Sequence, residues 1–203
     1  MFLMPSRVSF AVIMTVGLLS SVVACSDSGQ YLGTPSSEKS MPSQDQYAEL
    51  SRRPSIEEAV AHYDKLRQAL QARLSTELGV TGWVDKQDGR QSGCANEFPG
   101  VDSRDAVRMF LSFLIAPKPV TGEQWQAATR IVTEVGAAHG FDKPGLQVNK
   151  PPAFEFELKD QYLASVTLST DKTTVISIET GCHLTTAAKQ HAGGAPASKS
   201  TRG

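Results

Sequence analysis

From Phe154 to Leu184 the chain alternates, residue by residue, between two kinds of side chain. Phe154, Phe156 and Leu158 are interleaved with Glu155, Glu157 and Lys159, and Tyr162, Ala164, Val166 and Leu168 with Leu163, Ser165, Thr167 and Ser169. After a turn at Thr170 to Lys172, the residues Ile176, Ile178, Thr180, Cys182 and Leu184 are interleaved with Ser177, Glu179, Gly181 and His183. A period of two is the geometry of a β-strand, whose successive side chains leave opposite faces. Three such runs in succession require an antiparallel sheet with one apolar and one polar side. The apolar side needs a cover.

Two helices upstream can supply it. Ser55-Ile56-Glu57-Glu58 is a capping box, and Ile56, Val60, Tyr63, Leu66, Leu70, Leu74 and Leu78 form one stripe before Gly79 stops the helix. Thr121-Gly122-Glu123-Gln124 is a second capping box. It opens a helix whose stripe is Trp125, Ala128, Ile131, Val132 and Val135, closed by His139-Gly140. Val80 to Lys86, around Trp83, reads as a short strand followed by an Asp88-Gly89 turn. Val107 to Ala116 fits either period and is read as a strand ended by Pro117 and Pro119. The expectation is an α+β two-layer sandwich in the order αββαβββ, an antiparallel sheet with two helices on one face. Lys86 to Asp105 and Asp142 to Ala153 are left as long irregular loops.

The amino end is an address. Arg7 precedes a nearly unbroken apolar run, Val8 to Ala24, and Val22-Val23-Ala24-Cys25 then forms a lipobox. Residues 1–24 are expected to be a cleaved signal peptide, and Cys25 to carry the acyl chains that hold the protein in a membrane. Residues 25–54, rich in serine, proline and glycine, read as a flexible tether of about 30 Å span. Residues 187–203 lack bulky apolar side chains and read as a disordered tail. The folded domain is therefore expected at 55–186.

With Cys25 taken by lipid, Cys94 and Cys182 remain in an exported domain, where thiols oxidise, so a disulfide between them is expected. Closing a loop of about 90 residues is worth up to about 4.6 kcal/mol on the chain-entropy account. A reactive Cys182 beside His183 is the weaker alternative, because neighbours on a strand face opposite ways.

Composition narrows the function. The chain has 203 residues, with 20 Lys+Arg against 21 Asp+Glu well mixed along it, so it lacks the basic excess that grips nucleic acid. No nucleophile elbow, phosphate-binding glycine loop, H-E-x-x-H or Cys-x-x-Cys occurs. No catalytic residue, metal or cofactor is assigned. Glu155, Glu157, Glu179 and His183, on one strand face, are the one set that would suit a divalent cation, but they read first as an ordinary solvated face. Any partner surface is placed on the two long loops, where Asn96, Glu97 and Arg104 surround Phe98. The rival reading has Phe98 tucked inward and Cys94 holding a lid over the core.

Several segments resemble one group: the lipobox, Ser51-Arg52-Arg53-Pro54-Ser55-Ile56-Glu57-Glu58, the Gly93-Cys94 loop running to Phe98-Pro99-Gly100, Trp125 before Gly140-Phe141, and Thr180-Gly181-Cys182-His183-Leu184. The chain resembles the mycobacterial LppA/LppB-type lipoproteins over most of Arg52 to Leu184. The resemblance implies an actinobacterial cell-envelope lipoprotein with no established enzymatic role. The function expected is binding of an envelope component or partner protein at the extracytoplasmic face, with carriage of apolar lipids, or hydrolysis by an unfamiliar site, as alternatives.

Overall fold

The computed structural model describes residues 42–86 and 89–193. Four helices, α1 (Ser43–Ser51), α2 (Ile56–Leu78), α3 (Gly122–Ala138) and α4 (Thr186–Gly193), accompany nine strands. These are β1 (Val84–Lys86), β2 (Arg90–Gly93), β3 (Ala106–Phe110), β4 (Phe113–Ala116), β5 (Lys143–Lys150), β6 (Ala153–Lys159), β7 (Ser165–Thr170), β8 (Thr174–Glu179) and β9 (His183–Leu184). All pairings are antiparallel, in the order β1-β4-β8-β7-β6-β5, with β3 joined to β2, β8 and β9. The α+β sandwich is the expected class.

Both capping boxes form: Ser55 and Glu58 exchange side chain–backbone hydrogen bonds, and so do Thr121 and Gln124. Each cap is worth about 1 kcal/mol. Gly79, at φ 67°, closes α2 in a left-handed conformation that a Cβ would disfavour. The stripes then meet the sheet. Leu66, Leu70, Leu74, Ile131 and Val132 are fully buried against Leu114, Val166, Leu168, Ile176 and Ile178, each contributing about 1.5–3 kcal/mol by leaving water. Where the strand at 106–116 breaks, Arg67 of α2 bonds both Asp85 and Ser112.

On the sheet's other side, Val84, Ile115, Val175, Ser169, Glu155 and Val148 stand in one cross-strand row. They stay partly or largely exposed. At one end of the sheet lies a second, smaller core of Leu50, Cys94, Phe98, Val101, Ala106, Cys182, Leu184 and Ala188. It joins α1, α4 and the segment after β2 to the cross-strand pair Ala106 and Leu184.

That second core corrects several expectations. Residues 43–51 are not tether but α1, whose Leu50 is wholly buried; residues 186–193 are not tail but α4, whose Ala188 is buried. The described fold thus runs from 43 to 193 rather than 55 to 186. The two long loops also shorten: Arg90–Gly93 pairs with β3, and Lys143–Lys150 is an edge strand on β6. The signal peptide, Cys25 and the Asp88 part of the predicted turn lie outside the described residues.

Candidate functional site

Cys94 and Cys182 are joined as a disulfide, with Cα atoms 5.9 Å apart, and both are buried. Asn96 and Glu97 follow on the surface, and Glu97 pairs with Arg108 of β3, which also reaches Glu179 at 3.2 Å. Arg104 is exposed and bonds Asp102. Phe98, however, is buried in the second core, so the expected apolar centre of a partner surface on this loop is absent and the inward reading of Phe98 holds. Chain geometry explains it: the Phe98 and Glu97 amides both donate to Cys94 O, a tight turn that swings the ring under the disulfide.

The proposed cation set does not assemble. Glu157 accepts from the Leu146 amide, Glu179 faces Arg108, and His183 is fully buried on the far side. The alternation that placed His183 with the glutamates fails between Glu179 and His183, where Thr180 exchanges bonds with the Met109 backbone and the strand is interrupted. Beyond that break β9 packs against α1, α2 and α4, and residues 180–184 are all buried. Among the described residues no group of three or more His, Cys, Asp or Glu side chains can hold a metal ion.

What the sequence did not reveal is a cleft of about 240 Å³ where the start of α2, the end of α3 and the β6–β7 connection meet. His62, Tyr63, His139, Asp160 and Tyr162 line it. The His62 and His139 rings lie 5.1 Å apart, and His62 Nε2 donates to His139 O at 3.1 Å. Behind the wall, His183 meets the Tyr162 ring edge-on at 5.4 Å, so three of the chain's four histidines gather here. Asp160 organises the connection: Oδ1 accepts the Tyr162 and Ala164 amides, and Oδ2 accepts the Tyr63 hydroxyl at 2.6 Å. The neighbouring Leu163 sits at φ 65°, an unusual conformation for a branched side chain, and is largely exposed.

Burial, reinforced by the Asp160 bond, pushes the Tyr63 phenol well above the usual tyrosine range. Burial also lowers His139, helped by His62 and Lys65, and lowers His183, against a bond to Pro54 that works the other way. The buried His139 Nδ1 and His183 Nε2 have no hydrogen-bond partner. No Ser, Thr or Cys side chain lines the cleft beside an imidazole, so the cleft holds no hydroxyl or thiol of those types for an imidazole to activate. The one trace of this in the sequence was Asp160 ahead of Gln161-Tyr162-Leu163, a turn-forming carboxylate.

The chain's relationships agree with the fold. A solved structure described as the lipoprotein LppA of Mycobacterium tuberculosis superposes with a TM-score of 0.60 at 16% identity, covering 75% of this chain and 92% of that one. A DUF4853 family protein of Actinomyces odontolyticus gives a TM-score of 0.49 at 16% identity, covering 66% and 71%. No curated protein matches the sequence. Residues 33–186 match the model of the LppA family, described as lipoproteins confined to pathogenic Mycobacterium, and the chain belongs to that family.

Proposed function

We propose that the protein is a lipid-anchored domain of the cell envelope, held at the extracytoplasmic membrane face through Cys25, and that it works by binding a partner protein rather than by catalysis. Membership of a lipoprotein family and the Val22-Val23-Ala24-Cys25 lipobox support the anchor. No helix among the described residues is long and apolar enough to cross a membrane. The interior between helices and sheet is filled by close-packed leucine, isoleucine and valine, which speaks against carriage of a lipid between the layers.

The observation that carries the binding reading is the partly exposed side of the sheet. Val84, Ile115 and Val175 form an apolar strip across three paired strands, with Phe110 and Phe113 beside it. Ser165, Thr167, Ser169 and Ser177 adjoin it, and Lys86, Glu155, Glu157 and Lys159 edge it with charges of both signs. An apolar centre with a mixed polar rim is the anatomy of a protein contact and unlike the single-signed patch that a charged polymer or lipid surface selects. The test is a photoreactive residue at position 175 in the full-length, lipidated protein, with position 129 on α3 as control. A discrete adduct of one mass at 175 and not at 129 is expected. Equal labelling at both positions, or only lipid adducts at 175, would overturn the reading.

A further inference from the structure

We infer that the elbow joining α1 to α2 is an acid-released latch, with His183 as its sensor. The latch is built from side chains rather than from a hydrogen-bonded ladder. His183 bonds Pro54 O through Nδ1 at 3.0 Å. A carbonyl only accepts, so Nδ1 carries the proton and Nε2 keeps a lone pair that is buried and unpartnered. Next to Pro54, Arg53 lies between the rings of Phe98 and Tyr162, 5.1 and 5.5 Å from their centres, and donates to Cys182 O at 3.0 Å. From α4, Lys189 Nζ donates to Arg53 O at 2.6 Å. Contacts of the elbow with β9, the β6–β7 connection and α4 thus hold it in place, and α1 leads directly into it.

A second proton on His183 has nowhere favourable to go. It would put an N–H at the unpartnered Nε2 and a positive charge near Arg53 of the elbow and Lys189 of α4. The carboxylate facing His183, Asp160, already accepts Tyr63, Tyr162 and Ala164. The carboxylates at the start of α2 are engaged as well, Glu57 by Thr186 and Glu58 by Ser55. On the opposite strand the partner of His183 is the apolar Val107. Burial disfavours the imidazolium further.

The charged ring gains most by meeting water, and the two sides of its pocket differ in what resists that. β9 is fixed by its ladder to β3 and by the disulfide at the adjacent Cys182. The elbow is fixed by the contacts just named and by the Arg53–Glu49 pair, and α1 by the burial of Gln46 and Leu50 and by side-chain bonds to Gly100 and Asp105, none of them part of a ladder or a covalent tie. The elbow therefore yields. Acidification frees α1, the first helix among the described residues, from the second core while the main sandwich stays folded.

The experiment is amide hydrogen exchange on the full-length protein at about pH 7 and about pH 5, corrected for intrinsic rates, with the His183 ring followed by nitrogen NMR. Protection over residues 44–53 should fall at least about tenfold more than protection over residues 63–74, in step with protonation of His183. The His183→Gln variant should abolish the difference, whereas His62→Gln and His139→Gln should retain it. Uniform loss of protection would overturn the proposal, as would α1 opening while His183 stays neutral, or opening that persists in His183→Gln. Should His183→Gln fail to fold, the coincidence or separation of ring protonation and α1 opening in the parent chain decides alone.

Discussion

The Tyr63 hydroxyl donates to Asp160 Oδ2 at 2.6 Å, 97 positions away in sequence and out of contact with water. Because Asp160 Oδ1 also takes the amides of Tyr162 and Ala164, this one carboxylate fixes the shape of the β6–β7 connection and ties it to α2. The phenol is the only side-chain donor of the three. Its loss would leave a buried carboxylate oxygen short of a partner.

Tyr63→Phe should therefore destabilise the fold by about 1–3 kcal/mol, since an unsatisfied buried acceptor costs its full desolvation. Burial of the phenol, with the same bond, makes stability depend on alkali. The folded phenol titrates above its ordinary value of 10.0, so the unfolded chain gives up this proton first. Stability from Tyr63 is fully present below about pH 10 and is lost as pH rises beyond it. Urea titrations at neutral and alkaline pH should show that slope in the parent chain and a shallower one in Tyr63→Phe. Identical slopes would show that the phenol is not the group responsible.

The Cys94–Cys182 bridge should matter most to the second core. Replacing both cysteines by alanine should lower unfolding stability by about 2–5 kcal/mol. Exchange protection should be lost first in α1 and α4, which pack on the cysteines through Leu50 and Ala188. Alkylation of the denatured, unreduced Cys25→Ala protein should find no free thiol. Two labelled thiols would refute the bridge.

The sandwich was legible because its determinants are local. Capping boxes at Ser55 and Thr121, stripes of period 3.6, and period-two runs at Phe154 to Glu179 each specify an element without knowledge of the rest. Four elements were not: α1, β2, β5 and α4, of which β2 is exposed at every residue and so has no apolar period to mark it. In α1, Ser-Gln-Asp-Gln-Tyr-Ala-Glu-Leu-Ser has too few apolar residues to read as a helix. Distant partners hold it, with Ser43 and Gln46 bonding Gly100 and Tyr47 bonding Asp105. The β5 segment contains Pro144 and Gly145 and carries an irregularity between Pro144 and Gln147, features that an edge strand tolerates and a pattern search rejects. Ala188 alone anchors α4 in the core, too small a signal to mark a helix. The histidine cleft was hidden for a different reason. Its residues come from α2, α3 and the β6–β7 connection, and only the packing of those pieces brings His62 to His139. Extending the alternation through Thr180 to His183 also assumed an unbroken strand, which put that ring on the wrong side.

The anchor has a direct test. If Cys25 carries the acyl chains, Cys25→Ala should move the protein from the detergent-rich to the aqueous phase in detergent partitioning. Two acyl chains hold a protein far more firmly than one, so the change should be nearly complete. A Cys25→Ala protein that stays in the detergent phase would show that Cys25 does not carry the anchor.

Gly181, between β8 and the buried β9, tests how tightly this end of the sheet is assembled. A Cβ there would lie 2.9 Å from the Tyr162 carbonyl carbon and 3.1 Å from its Cβ, with the carbonyl oxygen closer still. The obstacle is backbone that cannot swing aside, because the Tyr162 amide is held by Asp160 and its ring by His183 and Arg53. Gly181→Ala should cost about 3 kcal/mol, the upper part of the usual overpacking range. Gly122→Ala is the matched control, since a Cβ at Gly122 meets only the Phe154 ring, at 3.6 Å, an ordinary contact. In the first turn of α3 the added methyl should be neutral or stabilising by about 0.5 kcal/mol. Denaturant midpoints of the two variants should therefore move in opposite directions or differ by most of the Gly181 effect. Equal shifts would mean that the Tyr162 backbone yields, and that this end of the sheet is looser than its packing implies.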